Sequence, residues 1–335
     1  MSTSKRHHYV PRAYLERFGQ DGKVAVRRRA ATGLIVTNPI NVALETGFYE
    51  TIDESGAKSV EVEDWLSEEI DGNGAKAIEA VIVSDQLPAV GDGARDFLAT
   101  YVAIQLTRTV DRREEAMFPA TVERWLAGRT LTADLMAEFL ESEHLGFKPK
   151  PAEVDGAFAF TSVQLDNGEV PTKTDAISLS LRLVHKLAGL LLRMSWRLEV
   201  ARKPRFITSD SPVILWSPPS SKDRYQGYGL NDCDEVRFPL DPGHQIVLTR
   251  TPGPDTVLVE PARVRASNAD VAASCHKFVV GHPTRSKPLT DVHLAPRKPT
   301  LRFNLGPGFQ RLPDGSVERM EDVIHVWVPR RASID

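Results

Sequence analysis

"AISLSLRLVHKLAGLLLRMSWRLEVARKPRFITSDSPVILW", Ala176 to Trp216, changes its period partway along, and that change decides the fold. The first half is dense in leucine and reads as a central core helix resuming near Thr174 and running to Trp196. After the Arg-Lys-Pro-Arg run at 202–205 the texture is that of strands. "RFITSDSPVILW", "EVRFPLDPGHQIVLT" (235–249) and "DTVLVE" (255–260) are apolar clusters between turn signals.

On the N-terminal side, "VPRAYLERF" places Val10, Tyr14 and Phe18 at four-residue steps, a helical stripe. "KVAVRRRA" and "LIVTN" read as a hairpin about Ala31 to Gly33, and "NVALETGFYE" (41–50) as a connector with an aromatic anchor. From about Ser59 the period is helical: Val62, Leu66 and Ile70 share a stripe, and Gly72 and Gly74 are expected to break or kink it. The strongest helix follows at 94–118, with Phe97, Tyr101, Val102 and Ile104 inward and Asp92 as its N-cap. Shorter amphipathic stretches occupy 122–126 and 132–140, and "GFKPKPAEVDG" (146–156) reads as a linker or long surface loop. Towards the C-terminus, a helix beginning after Pro261 leads into a strand, and the tail reads as more strand. The expected fold is α+β: an N-terminal strand unit, a helical middle, and a C-terminal mixed or antiparallel sheet. Residues 1–285 are expected to form one such domain, with a helical subdomain at about 59–145 and a β extension at 286–335 packed on it.

The 335 residues are 41% hydrophobic and 26% charged, which argues against disorder, and the net charge of −3 gives no global case for nucleic-acid binding. Locally the balance differs. Lys5, Arg6, Arg12, Arg17, Lys23, Arg27, Arg28 and Arg29 face only Glu16 and Asp21 in sequence, a segment suited to phosphates or to pairing with acidic helices. Cys233 and Cys275 have no metal-binding spacing, no apolar run reaches membrane-span length, and the N-terminus lacks the apolar core of a signal peptide. A cytoplasmic location is expected. Walker, GxGxxG, GxSxG and HExxH patterns do not occur.

The residues suited to chemistry cluster in a few places. His7 and His8 precede Pro11 and the docked helix, which can hold an imidazole rigidly as a base or ligand. In "FITSDSPV" a strand delivers Thr208, Ser209 and Asp210 into a turn closed by Pro212, a position for a metal ligand or equally for an Asx or ST turn. The acidic helix offers Glu61, Glu63, Glu68, Glu69 and Asp71, as metal ligands or as a solvated face. Arg108 and Arg112 form an i,i+4 pair that binds an anion or answers the acidic helix. Asn268 sits early in its helix as a polar core contact or site residue.

These elements together resemble the family called domain of unknown function 4238. The resemblance rests on "HHYVPRAYLERF", "NVALETGFY", the E-x-x-L helix at Glu63 and Leu66, "RFITSDSPV", "RFPLDPGHQIVL" and "SNADVAASCHKFVV", covering roughly residues 5 to 285. It implies a bacterial protein, and for some members an association with defence against phage. The HH-x-x-P string is also similar to the opening of the HNH nuclease motif. It departs from it in that a helix begins directly after Pro11 and Asn41 arrives only after the hairpin.

The expectation is therefore a metal-dependent phosphodiesterase, a nuclease in phage defence, with His7 or His8 as base or ligand and Asp210 catalytic. Asp210, with Glu63 or Glu69, is expected to hold Mg²⁺ or Mn²⁺. Arg12 and Arg108 are expected to bind phosphate, with Thr208, Ser209 and Asn268 beside them, and nucleic acid is the expected partner. The alternative is a non-enzymatic recognition or scaffolding protein in which the HHYVP and TSDSP motifs are structural clamps. An enzyme acting on a nucleotide is a third reading.

Overall fold

A computed structural model describes residues 6–29, 31, 33–52, 58–59, 61–168, 170–218, 229–231, 233–295, 300–311 and 317–330, with backbone alone at 52, 58, 300–311 and 317–330. The chain divides into two compact units, Met1–Val110 with Ile177–Ala295, and Asp111–Ala176 with Pro296–Asp335.

The first unit opens with β1 (Arg6–His8), α1 (Arg12–Glu16), the hairpin β2 (Val24–Arg28) and β3 (Leu34–Thr37), and β4 (Leu44–Thr46), which pairs back on β1. The helical stripe holds: Val10, Tyr14 and Phe18 are all buried, and Tyr14 stacks on Phe238 with centroids 5.2 Å apart. The short pair β5 (Thr51–Ile52) and β6 (Lys58–Ser59) leads into α2 (Glu61–Trp65). That helix widens through a π-type stretch, Leu66–Asp71, and continues as α3 (Gly72–Ser84). Gly72 and Gly74 thus lie inside the helix and do not break it. The reason at Gly74 is packing: a Cβ there would stand 2.2 Å from Cε2 of Tyr101, so only glycine lets α3 approach α4 (Gly93–Thr107). Gly74→Ala is expected to lower the first unit's stability by about 1–3 kcal/mol, the cost of overpacking, read in a urea melt. At the start of α4, Asp92 accepts the Ala94 N–H at 2.9 Å, the cap expected from the sequence.

The second unit contains most of α5 (Val110–Ala116), then α6 (Phe118–Leu126), α7 (Ala133–Phe139) and α8 (Pro151–Asp166). Its core is built by Phe118, Val122, Leu126, Met136, Phe139 and Leu140 with Val154 and Ala157. The expected 146–156 loop is corrected in its second half. Pro151 takes the first helical position, where its missing N–H costs nothing, and Glu153 accepts the Lys150 N–H at 2.7 Å.

α9 (Lys173–Leu192) starts from a Thr172–Asp175 capping pair and ends four residues earlier than expected. "SWRLEVA" is already β7 (Ser195–Ala201), with Trp196 and Leu198 buried on one face. The chain then forms β8 (Thr208–Ser209), β9 (Ile214–Trp216), β10 (Glu235–Pro239), β11 (His244–Thr249), β12 (Thr256–Val259), α10 (Pro261–Ser274), β13 (Phe278–Gly281) and α11 (Lys287–Asp291). A five-stranded sheet runs in the order β12-β7-β11-β10-β9, antiparallel except for β12 on β7. A four-stranded antiparallel sheet runs β3-β2-β13-β8, so the N-terminal hairpin is completed by strands from the C-terminal half. The hairpin β14 (Thr300–Arg311) and β15 (Val317–Arg330) falls within the second unit. The fold is α+β, with N-terminal strands, a helical middle and a C-terminal mixed sheet. Among the described residues no helix is long and apolar enough to cross a membrane.

Candidate functional site

β1 sends its two histidines to different surroundings, as successive strand residues do. His7 is 1% exposed. Its Nδ1 accepts the Tyr49 backbone N–H at 2.8 Å, so the neutral ring carries its proton on Nε2, which lies 2.9 Å from Glu63 Oε2 at the start of α2. The His7 and Tyr49 rings stack with centroids 6.1 Å apart. Burial, with a smaller push from Asp64, raises the Glu63 carboxyl to about 7. Near neutral pH this pair holds an exchangeable proton.

His8 is fixed differently. Its Nδ1 lies 3.1 Å from the Val42 carbonyl oxygen, so Nδ1–H donates and Nε2 keeps its lone pair, with no partner among the described residues. Burial lowers its pKa below 6.5, and the Arg12 and Arg6 charges add to that effect, against the Val42 hydrogen bond and Asp71. The ring is therefore neutral at pH 7. Arg12 is exposed and donates to Glu16 Oε1 at 2.7 Å, an i,i+4 pair of the weak surface kind.

Beside Tyr49 lies Arg108, just past the last turn of α4. Its Nη2 donates to Asp71 Oδ1 at 2.8 Å, its Nη1 to Oδ2 at 3.3 Å, and its Nε to Gln105 Oε1 at 3.3 Å. Burial works against this guanidinium, and Asp71 together with Tyr49 and Tyr101 outweighs it and raises its pKa further. The arginine thus answers the acidic helix, one of the two roles open to it in the sequence. Three of the eight residues of the basic segment are likewise held internally, only Arg17 by a carboxylate, and Lys5 lies outside the described residues. Arg17 donates to Glu79 and the Ala75 carbonyl, Arg27 to the carbonyls of Leu289 and Val292, and Arg29 to those of Ala272 and Cys275. Arg6, Arg12, Lys23 and Arg28 stay exposed.

The second motif is built around backbone. Asp210 is 1% exposed, and its carboxylate accepts three N–H groups: His276 at 2.7 Å on Oδ1, Lys277 at 2.5 Å and Phe278 at 3.3 Å on Oδ2. Ser209 Oγ donates to the Ser211 carbonyl and accepts the Ser211 N–H, an ST turn. Asn268 accepts the Ile207 N–H at 3.1 Å and donates to the Arg205 carbonyl at 2.8 Å. The Tyr14 hydroxyl donates to the Pro239 carbonyl at 2.7 Å and so receives the Thr208 hydroxyl, also at 2.7 Å.

The structure thus brings His7 onto Glu63, sets Arg12 near His8, and joins Arg108 to this end of the unit through Asp71 and Tyr49. The two motifs meet through Tyr14 and Thr208. Asp210 and Asn268 are spent on backbone groups, with the Asp210 charge also reaching Tyr9 beside His8, and the Glu69 side chain is exposed on the helix. Among the described residues, Glu63, Glu69 and Asp210 form no three-ligand group, with each other or with either histidine, spaced for one ion. In the sequence Tyr49 belongs to an aromatic anchor and Asp71 to an acidic face, with nothing to pair them. Asp71 stands in no spaced motif, and Tyr49, though it closes the "NVALETGFY" stretch, carries no local sign of its partners.

Comparison with curated proteins and with solved structures gave no significant match. The family comparison did, over a span that takes in both histidines, the acidic helix, Arg108 and the TSDSP turn. The chain belongs to the family described as protein of unknown function (DUF4238), whose model matches residues 6–285.

Proposed function

We propose that the protein is a phosphodiesterase, acting as a nuclease in bacterial defence against phage, with His8 as its general base. The observation that carries this reading is the state of His8: a half-buried imidazole, neutral at pH 7, its tautomer set by Val42 and its Nε2 unspent, beside two exposed arginines. Nε2 takes the proton from the attacking oxygen as it closes on phosphorus. Arg12 and Arg6 hold the non-bridging oxygens, Arg12 giving up only a surface ion pair to do so. Mg²⁺ or Mn²⁺ would rest on Glu63, a carboxylate already oriented by His7, and would neutralise charge on the phosphate. Arg108, tied up by Asp71, has no part in phosphate binding in this reading.

The test is turnover of single- and double-stranded DNA, RNA and nucleotides, each with Mg²⁺, Mn²⁺ or EDTA. His8→Gln is expected to reduce the rate about 10²-fold or more with an unchanged melting temperature. The wild-type rate should climb as His8 loses its proton, at a pKa below 6.5, and again as Glu63 ionises near pH 7 to take the metal, levelling above that. Absence of turnover on every substrate, from a folded protein, would overturn the proposal in favour of a recognition or scaffolding role. That second reading is supported by His7 and Asp210, the polar centres of the two motifs, both buried and hydrogen-bonded as clamps.

A further inference from the structure

β11 opens on a histidine with a carboxylate at each ring nitrogen. His244 Nδ1 lies 2.9 Å from Asp241 Oδ1, and its Nε2 lies 2.9 Å from Asp85 Oδ1. A neutral imidazole has one N–H and cannot donate to both; only the imidazolium satisfies the two contacts together. We infer that His244 is a proton-operated latch fastening the C-terminal end of α3 to the β10–β11 turn.

The surroundings fit a latch. Asp85 caps α3 in the left-handed region, at φ 52°, and its carbonyl accepts the Thr256 hydroxyl of β12 at 3.3 Å. Asp241 Oδ1 is preset by the N–H groups of Gly243 and His244, at 2.7 Å each. Asp241 and Asp85 are the charged groups acting on the ring. The Asp241 hydrogen bond raises its pKa above 6.5 against burial, and Asp85 adds to the rise. The His244 side chain is 14% exposed and that of Asp85 60%, so protons reach the site freely. The helix held at Asp85 is the same continuous one that carries Glu63 at its other end and Asp71 near its middle.

The sign follows from the raised pKa. The latch is closed below the ordinary histidine value of about 6.5 and opens as pH rises through the higher folded value. Hydrogen exchange at Ile82–Asp85, corrected for intrinsic rate, is expected to speed up at least tenfold between pH 5.5 and 9 in the wild type. His244→Gln and Asp85→Asn should exchange at the fast rate throughout, and the His244 ring resonances should titrate above 6.5 in the wild type and lower in Asp85→Asn. Asp85 is a surface residue, so its variant keeps the test decisive if His244→Gln does not fold. Wild-type exchange independent of pH, or a ring titrating at or below 6.5, would overturn the latch. These readouts do not depend on any catalytic activity.

Discussion

Asp210→Ala is expected to cost the first unit about 3–5 kcal/mol, the largest effect of any single substitution in the two motifs. Its carboxylate accepts the backbone N–H groups of His276, Lys277 and Phe278, where the chain leaves α10 and enters β13. Alanine leaves these donors without an acceptor, at about 1–3 kcal/mol for each that is truly buried. Asp210→Asn keeps one acceptor oxygen but turns an NH₂ towards a donor, so it should fall between the two. The measurement is a urea melt followed by tryptophan fluorescence, with the midpoint moving and the slope unchanged. Because the chain has two units, calorimetry should show the loss in one transition and not the other. A cost under about 1 kcal/mol together with lost turnover would return Asp210 to the chemistry.

Arg108→Met comes next, at about 3 kcal/mol or more. The substitution strips Asp71 of its bidentate partner and Gln105 of its donor, inside a region where burial magnifies an uncompensated charge. The double variant Arg108→Met/Asp71→Leu should recover a large part of that loss, since an apolar pair of similar volume replaces the ions without an orphan. A double-mutant cycle reads the coupling directly. Additive losses would mean that the two side chains act independently of each other, contrary to the 2.8 Å contact.

Much of this architecture is legible in the sequence where a single element carries its own signal. Val10, Tyr14 and Phe18 announce their stripe by spacing, Asp92 announces its cap, and the two N-terminal strands flank a turn. Boundaries blur where signals overlap. The leucines before Arg193 draw the eye past the real start of β7, and Pro151 reads the same in a loop as at the first position of a helix. The polar contacts are harder still. Local reading offers Asp210 a turn, whereas its partners lie near residue 277, and a distance between helices is not written in either helix. Hence Arg108 and Asp71 could each be named in advance as charged residues, but not as a pair. Tyr14 shows the limit in one side chain: its ring follows from periodicity, and its hydroxyl's partners, Thr208 and Pro239, follow only from the assembled sheets.

The four-stranded sheet imposes an order on synthesis. β2 finds its partner on β3 at once, but its other edge waits for β13, with Arg28 paired to Phe278, 250 residues further on. At about 5–20 residues per second that edge stays unpaired for roughly 10–50 s on the ribosome. Val24, Ala25 and Val26, buried in the finished sheet, are exposed to other chains for that interval. Helices α6 to α8, whose core is local in sequence, can form during the wait, so the segment between the two halves of the first unit gains structure before the unit that encloses it in sequence is closed.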